Sequence, residues 1–133
     1  MSTKLISRYI GDEKVEIIHT PTNSKLITDL PPDNGGKGRN FSPTDLVAAA
    51  LSSCILTIMA VSAKKDNINL EGTEIEIEKE MTSNPRRIAK FTGKIKFNEN
   101  ISKEQRKKLM TVLKTCPVTR SLNPDIIIDI SEG

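Results

Sequence analysis

The chain has no tryptophan, one tyrosine (Tyr9), three phenylalanines and one histidine (His19) among 133 residues. So few rings leave no aromatic platform on which bases could stack. Lys and Arg exceed Asp and Glu by only 20 to 17, a net charge of +3, and the basic residues are scattered apart from the local pairs at 64–65, 86–87 and 107–108. Nucleic acid is therefore not an expected partner. Two cysteines sixty-two residues apart, with a single histidine, do not make a zinc set. Nothing in the spacing brings His19 to either thiol as a base, so neither metal nor other cofactor is expected. The opening residues, MSTKLISRYIGDEK, lack the long apolar run of a secretory leader. The longest uncharged stretch, residues 46–63, has the eighteen residues that set the lower bound for a membrane span. It is diluted by Ala, Ser, Thr and Cys54, and reads as a buried central helix, so a membrane is not an expected partner either. The expected location is cytoplasmic, where two thiols are reduced or cycling rather than locked as a structural disulfide.

What is present fits one domain over residues 1–133, with 36% hydrophobic and 28% charged residues. Three short β-branched runs, at 4–10, 14–20 and 24–30, are separated by the turn-like GDE and PTN and predict a small antiparallel sheet. PPDNGGKGRN (31–40), with two prolines and three glycines, is a loop expected to lack regular structure. A helix then starts at Ser42, with Pro43 at its first position and Asp45 at its third, a capping box with Asp in place of Glu or Gln. It is expected to run to about Lys65 and, being apolar nearly all round, to be buried on most faces.

Residues 73–81 alternate strictly, with Glu74, Glu76, Glu78 and Glu80 on one face. Residues 88–97 alternate as well, with Ala89, Phe91, Gly93, Ile95 and Phe97 opposite Lys90, Thr92, Lys94 and Lys96. An antiparallel hairpin sets the glutamates beside the lysines. Residues 101–115 predict an amphipathic helix opened by a second capping box, Ser102 and Gln105, with Leu109, Val112, Leu113 and Cys116 on one side. Pro117 then starts a short helix capped by Cys116, and DIIIDI (125–130) is a closing strand. The order is strands, buried helix, hairpin, helix, strand, which is α+β rather than alternating α/β.

A thiol on an apolar helix is ordinarily a small hydrophobe, and Cys54 taken alone reads that way. Cys116 differs, because a sulfur at a helix N-terminus sits where the dipole and free N–H groups favour a thiolate. Desolvation in mid-helix raises the pKa of Cys54 unless a cation reaches it. Two such thiols suit a chemistry of attack and resolution through a sulfenic acid to a disulfide.

At this point the chain resembles the OsmC/Ohr family. SPTDLVAAALSSC is similar to the stretch before that family's first cysteine, TCPVTRSL to its second-cysteine motif, and DLPPDNGGKG to its Gly-rich approach to the helix. The likeness spans roughly residues 24 to 130. It implies an intertwined homodimer in which the long apolar helices of two subunits pack together and sheets wrap around them. It also implies reduction of organic or lipid hydroperoxides, with Cys54 the attacking and Cys116 the resolving thiol, and a thiol or lipoyl-bearing protein as reductant. Peroxidase members carry a Glu ten residues before the first cysteine, paired with an Arg from the N-terminal strands; here that position is Thr44, and the nearest acid is Asp45. One residue along a helix is a rotation of about 100°, and the capping role alone accounts for Asp45. An acid one place later occurs in a less characterised branch, which this chain resembles more. Arg8 and Arg39 are the alternative arginines, and Lys37 lacks their planar fork. The histidine common three residues before the second cysteine is here Leu113. The expected activity is a thiol-dependent peroxide reductase; the alternative is a redox-sensing or small-molecule-binding dimer on the same scaffold.

Overall fold

The structure is a computed structural model describing residues 1–133. It divides into two compact units, Met1–Leu46 and Val47–Gly133. In the first, strands β1 (Leu5–Gly11), β2 (Lys14–His19) and β3 (Ser24–Asp29) form the expected antiparallel meander. Leu5 pairs with His19, and His19 with Ser24. The tight β1–β2 connection is made by Asp12 and Glu13, both with positive φ (53° and 66°), the conformation that two-residue hairpin turns require. The loop after β3 holds one short 3-10 turn, Pro32–Asn34, where no regular structure was expected. At Gly36 only glycine fits, since a Cβ would lie 2.1 Å from the Leu30 carbonyl oxygen.

Helix α1 (Pro43–Lys65) begins as its sequence dictates. The Ser42 N–H donates to the Asp45 carboxylate at 2.9 Å, and the Asp45 N–H donates to Ser42 Oγ at 3.0 Å. That reciprocal pair is the capping box, with the acid also favoured by the positive end of the helix dipole. By length and composition α1 could cross a membrane. Its Ala48, Leu51, Ile55, Met59 and Ala63 nevertheless recur at helical spacing as one stripe of the hydrophobic core.

The second unit adds strands β4 (Glu74–Thr82) and β5 (Arg87–Lys96), helix α2 (Lys103–Met110), helix α3 (Pro117–Ser121) and strand β6 (Ile127–Glu132). Its sheet order is β4-β5-β6, with β5 and β6 parallel. Glu74 faces Lys96, Glu76 faces Lys94, and Glu80 faces Lys90, so charge and alternation select the same hairpin register. The alternation of β5 breaks near its start: the pairing passes from Glu80–Lys90 to Met81–Ile88, leaving Ala89 as the extra residue of a bulge. Ile88 is buried together with Phe91, Gly93 and Ile95, whereas Ala89, expected on their face, is half-buried. The box Ser102–Gln105 caps α2, but the expected single helix over 101–115 tightens into a 3-10 turn at Thr111–Thr115. There the Thr111 and Thr115 hydroxyls donate to the carbonyls of Lys108 and Val112, three residues back. These features are those of an α+β chain.

Candidate active site

Cys54 lies mid-way along α1 and is half-buried; Cys116, which caps α3, has no solvent exposure. Neither is in a disulfide, and the two thiols meet as hydrogen-bond donor and acceptor within one chain. The backbone explains why the second sulfur is there. Cys116 is extended (φ −62°, ψ 119°), and Pro117 supplies the first residue of α3. The first backbone bond of that turn runs from the Arg120 N–H to the Cys116 carbonyl at 3.1 Å. The N–H groups of Val118 and Thr119 therefore precede the helical ladder. They face the Cys116 sulfur with the Thr119 hydroxyl, without the geometry of a regular side-chain cap.

The electrostatics divide the pair unequally. Burial pushes the Cys54 thiol up; the neighbouring Cys116 adds to this, and only the Val118 N–H opposes it. None of these groups is a cation. Burial would also push Cys116 up, but the Cys54 thiol, the Thr119 N–H and hydroxyl, and the Val118 N–H together hold it below its ordinary value. Ionisation of the pair is thus favoured at Cys116 over Cys54. Sequence reasoning placed Cys116 at a helix start but missed Thr119, whose only signal was its place two residues after the Cys-Pro pair.

The candidate supporting residues lie in the first unit. Arg39 is committed to two carboxylates there. Its Nε donates to Asp29 Oδ2 at 2.7 Å and its Nη2 to Asp29 Oδ1 at 3.1 Å, while Nη1 donates to Asp12 Oδ2 at 2.6 Å. Asp29 has no side-chain exposure. Hydrogen bonding from Arg39 holds its carboxyl far below the usual range, and Asp29 with Asp12 raises the guanidinium further. Lys37 pairs with Asp12 at 3.3 Å. Arg8, on β1, stands opposite Glu16. Asp45 holds the capping bond, and the Thr44 hydroxyl lies 3.3 Å from Ser42 Oγ. Asp12 and Asp29 were not singled out in the sequence, where nothing links residues seventeen apart to one arginine.

A cavity of about 170 Å³ in the second unit is lined by Ile55, Leu113, Lys114, Thr119, Ile128 and Ile130. Ile55 follows Cys54 on α1, and Thr119 is the residue that faces Cys116. The cavity therefore adjoins the Cys116 side of the thiol pair through Thr119. No group of His, Cys, Asp and Glu side chains is placed to hold a metal ion.

The profile of the OsmC-like protein family matches residues 36–131. Among solved structures, a Psychrobacter arcticus protein named for an osmotic stress and detoxification response is 38% identical. Its TM-score is 0.91, and the match covers 100% of this chain and 96% of that one. The organic hydroperoxide resistance protein OsmC of Legionella pneumophila is 18% identical with a TM-score of 0.80, over 100% and 97% of the two chains. The organic hydroperoxide resistance protein OhrB of Bacillus subtilis is also 18% identical, with a TM-score of 0.73 over 100% and 98%. At that identity the last two share the fold. No curated protein matches the chain in sequence.

Proposed function

Since the chain belongs to the OsmC-like protein family, we propose that it is a two-cysteine reductase of organic hydroperoxides. The observation that carries this reading is the contact between two thiols sixty-two residues apart in sequence. Cys54 is the sulfur that solvent reaches, so it attacks the distal peroxide oxygen. As it does so, its proton is relayed by the Cys116 sulfur to the departing alkoxide, which leaves as the alcohol. Cys54 is then a sulfenic acid. The Cys116 thiolate attacks its sulfur, forming the disulfide and releasing hydroxide. Two equivalents of a thiol, or one dihydrolipoyl group on a carrier protein, restore the pair with release of water and the oxidised reductant. The best-stabilised thiolate leaves most readily, so the reductant attacks Cys54 and expels Cys116. In this scheme the thiolate is favoured by the Thr119 and Val118 donors at Cys116 rather than by a guanidinium–carboxylate pair, which suits a chain with Thr44 in place of the family's Glu.

The active form is proposed to be a cytoplasmic homodimer. The exposed side of α1 carries Ala50, Ser53, Thr57, Ala60 and Val61, a surface with no charge before Lys64. In the first sheet Leu5, Tyr9 and Leu26 share one face and Ile6 lies on the other, all exposed. A partner's α1 and strands are the complementary cover.

The test is oxidation by one equivalent of cumene hydroperoxide followed by mass spectrometry, then turnover with excess dihydrolipoamide. Loss of two thiols, a Cys54–Cys116 disulfide and turnover reduced at least a hundredfold by Cys54→Ser are expected. An unmodified Cys54 in folded protein overturns the reading. A second reading, a redox sensor, is favoured by the raised pKa of Cys54; oxidation to the disulfide without turnover selects it.

A further inference from the structure

The cavity beside the thiol pair has a composition that names a ligand class. Four of its six lining side chains, Ile55, Leu113, Ile128 and Ile130, are aliphatic. Thr119 closes the side nearest Cys116. Lys114 is the one charged residue on the wall; it is exposed and pairs with no acid. It lies in the 3-10 turn that leads directly into Cys116, so its backbone is fixed by the same segment that places the sulfur.

Size limits the occupant. A dry aliphatic cavity of about 150 Å³ takes a benzene-sized molecule, and this one, at about 170 Å³, is similar. It encloses an apolar body of that size and no more. Charge limits the occupant further: an unpaired ammonium at the edge of an aliphatic pocket complements an anionic group attached to an apolar body, and repels a cationic one. We propose that the cavity binds small aryl or short-chain carboxylates, with the apolar body among Ile55, Leu113, Ile128 and Ile130 and the carboxylate on Lys114. Resting on the peroxidase reading, the substrate class becomes small hydroperoxides that carry an acid at the end remote from the O–O bond. Lys114 is then a specificity-determining residue that takes no part in the chemistry.

Binding is measured on the reduced, full-length protein with 3-phenylpropanoate, and with 3-phenylpropanol as its neutral counterpart, by amide chemical shifts of Lys114 and Thr119. The carboxylate is expected to bind at least tenfold more tightly. Lys114→Ala is expected to abolish that preference while leaving the weak binding of the alcohol, and Lys114→Arg to retain it. Ile128→Trp, which fills the cavity, is expected to remove both. In turnover, 3-phenylpropanoate is expected to raise the KM for cumene hydroperoxide without changing kcat. Equal binding of acid and alcohol, an unchanged preference in Lys114→Ala, or no binding at all overturns the proposal. The binding arm uses no peroxide, so it stands or falls apart from the peroxidase reading. Turnover of cumene hydroperoxide with no carboxylate preference leaves that reading intact and removes this one.

Discussion

At Asp29 a carboxylate without solvent exposure accepts from the Arg39 side chain and from the backbone N–H groups of Arg39 and Leu30, at 2.9 and 3.0 Å for the latter two. Each of these bonds favours the ionised form, and the Arg39 side chain contributes most. A carboxyl whose pKa is lowered in the folded chain contributes stability above its unfolded value, about 3.9, and loses it as pH falls through the folded value. The amides of Leu30 and Arg39 are thus expected to keep constant protection from hydrogen exchange between pH 8 and 5. Protection is lost progressively below about pH 4. Asp29→Asn is expected to lose it already at neutral pH and to flatten the acid dependence. Wild-type protection that persists unchanged to pH 2 would refute the assignment. Arg39, so held, donates to Asp29 and Asp12, and within the second unit the Thr119 and Val118 donors favour ionisation of Cys116.

Among the elements, β5 and β6 decide the shape of the cavity wall. Gly93 pairs with Ile130 across the parallel ladder, and a Cβ at Gly93 would stand 3.1 Å from Ile130 Cγ1 and 3.5 Å from the Glu76 carbonyl oxygen. Ile130 thus lies across a position with no side chain and lines the cavity. Gly93→Val is expected to cost about 1–3 kcal/mol, the usual range for overpacking, read from the urea midpoint. Ile130→Val in the same chain is expected to recover part of the loss. Unchanged stability in Gly93→Val would show that the contact yields freely. The glycine was legible in sequence only as a member of one face of an alternating strand. Elements fixed by local rules were legible: the Ser42–Asp45 and Ser102–Gln105 boxes, Pro117 after a capping cysteine, and the Glu-against-Lys register all rest on residues a few places apart or on strict alternation. The bulge at Ala89, the 3-10 turn at 111–115 and the Arg39–Asp29–Asp12 cluster were not legible. Each is settled by packing or pairing across distances that periodicity does not encode. The thiol pair was legible through family resemblance, and Cys116 as the side favoured for ionisation through its place at a helix start, whereas the part of Thr119 needed the geometry of the Cys116 cap.

For the molecule as a whole, the side chains a single copy leaves uncovered set the last expectation. Tyr9 is 67% exposed and Val61 57% exposed, on a sheet with apolar side chains on both faces and on a helix whose outer side is small and uncharged. A specific interface needs on the order of 1,000 Å² with good complementarity, and a stripe of Ala, Ser and Thr lets two helices approach closely without a bulky side chain between them. Two identical chains would satisfy this with a two-fold axis if each α1 met the same stripe of its partner. Light scattering at micromolar concentration is expected to give twice the 14.7 kDa chain mass. Ala60→Glu, which sets like charges against each other across such an axis, is expected to weaken association at least a hundredfold. Because Cys54 and Cys116 meet within one chain, the Ala60→Glu monomer is still expected to close its disulfide with one equivalent of peroxide. A wild-type monomer would reject the dimer and leave the thiol pair standing. A dissociated variant that cannot form the disulfide would instead show that the partner completes the reactive pocket.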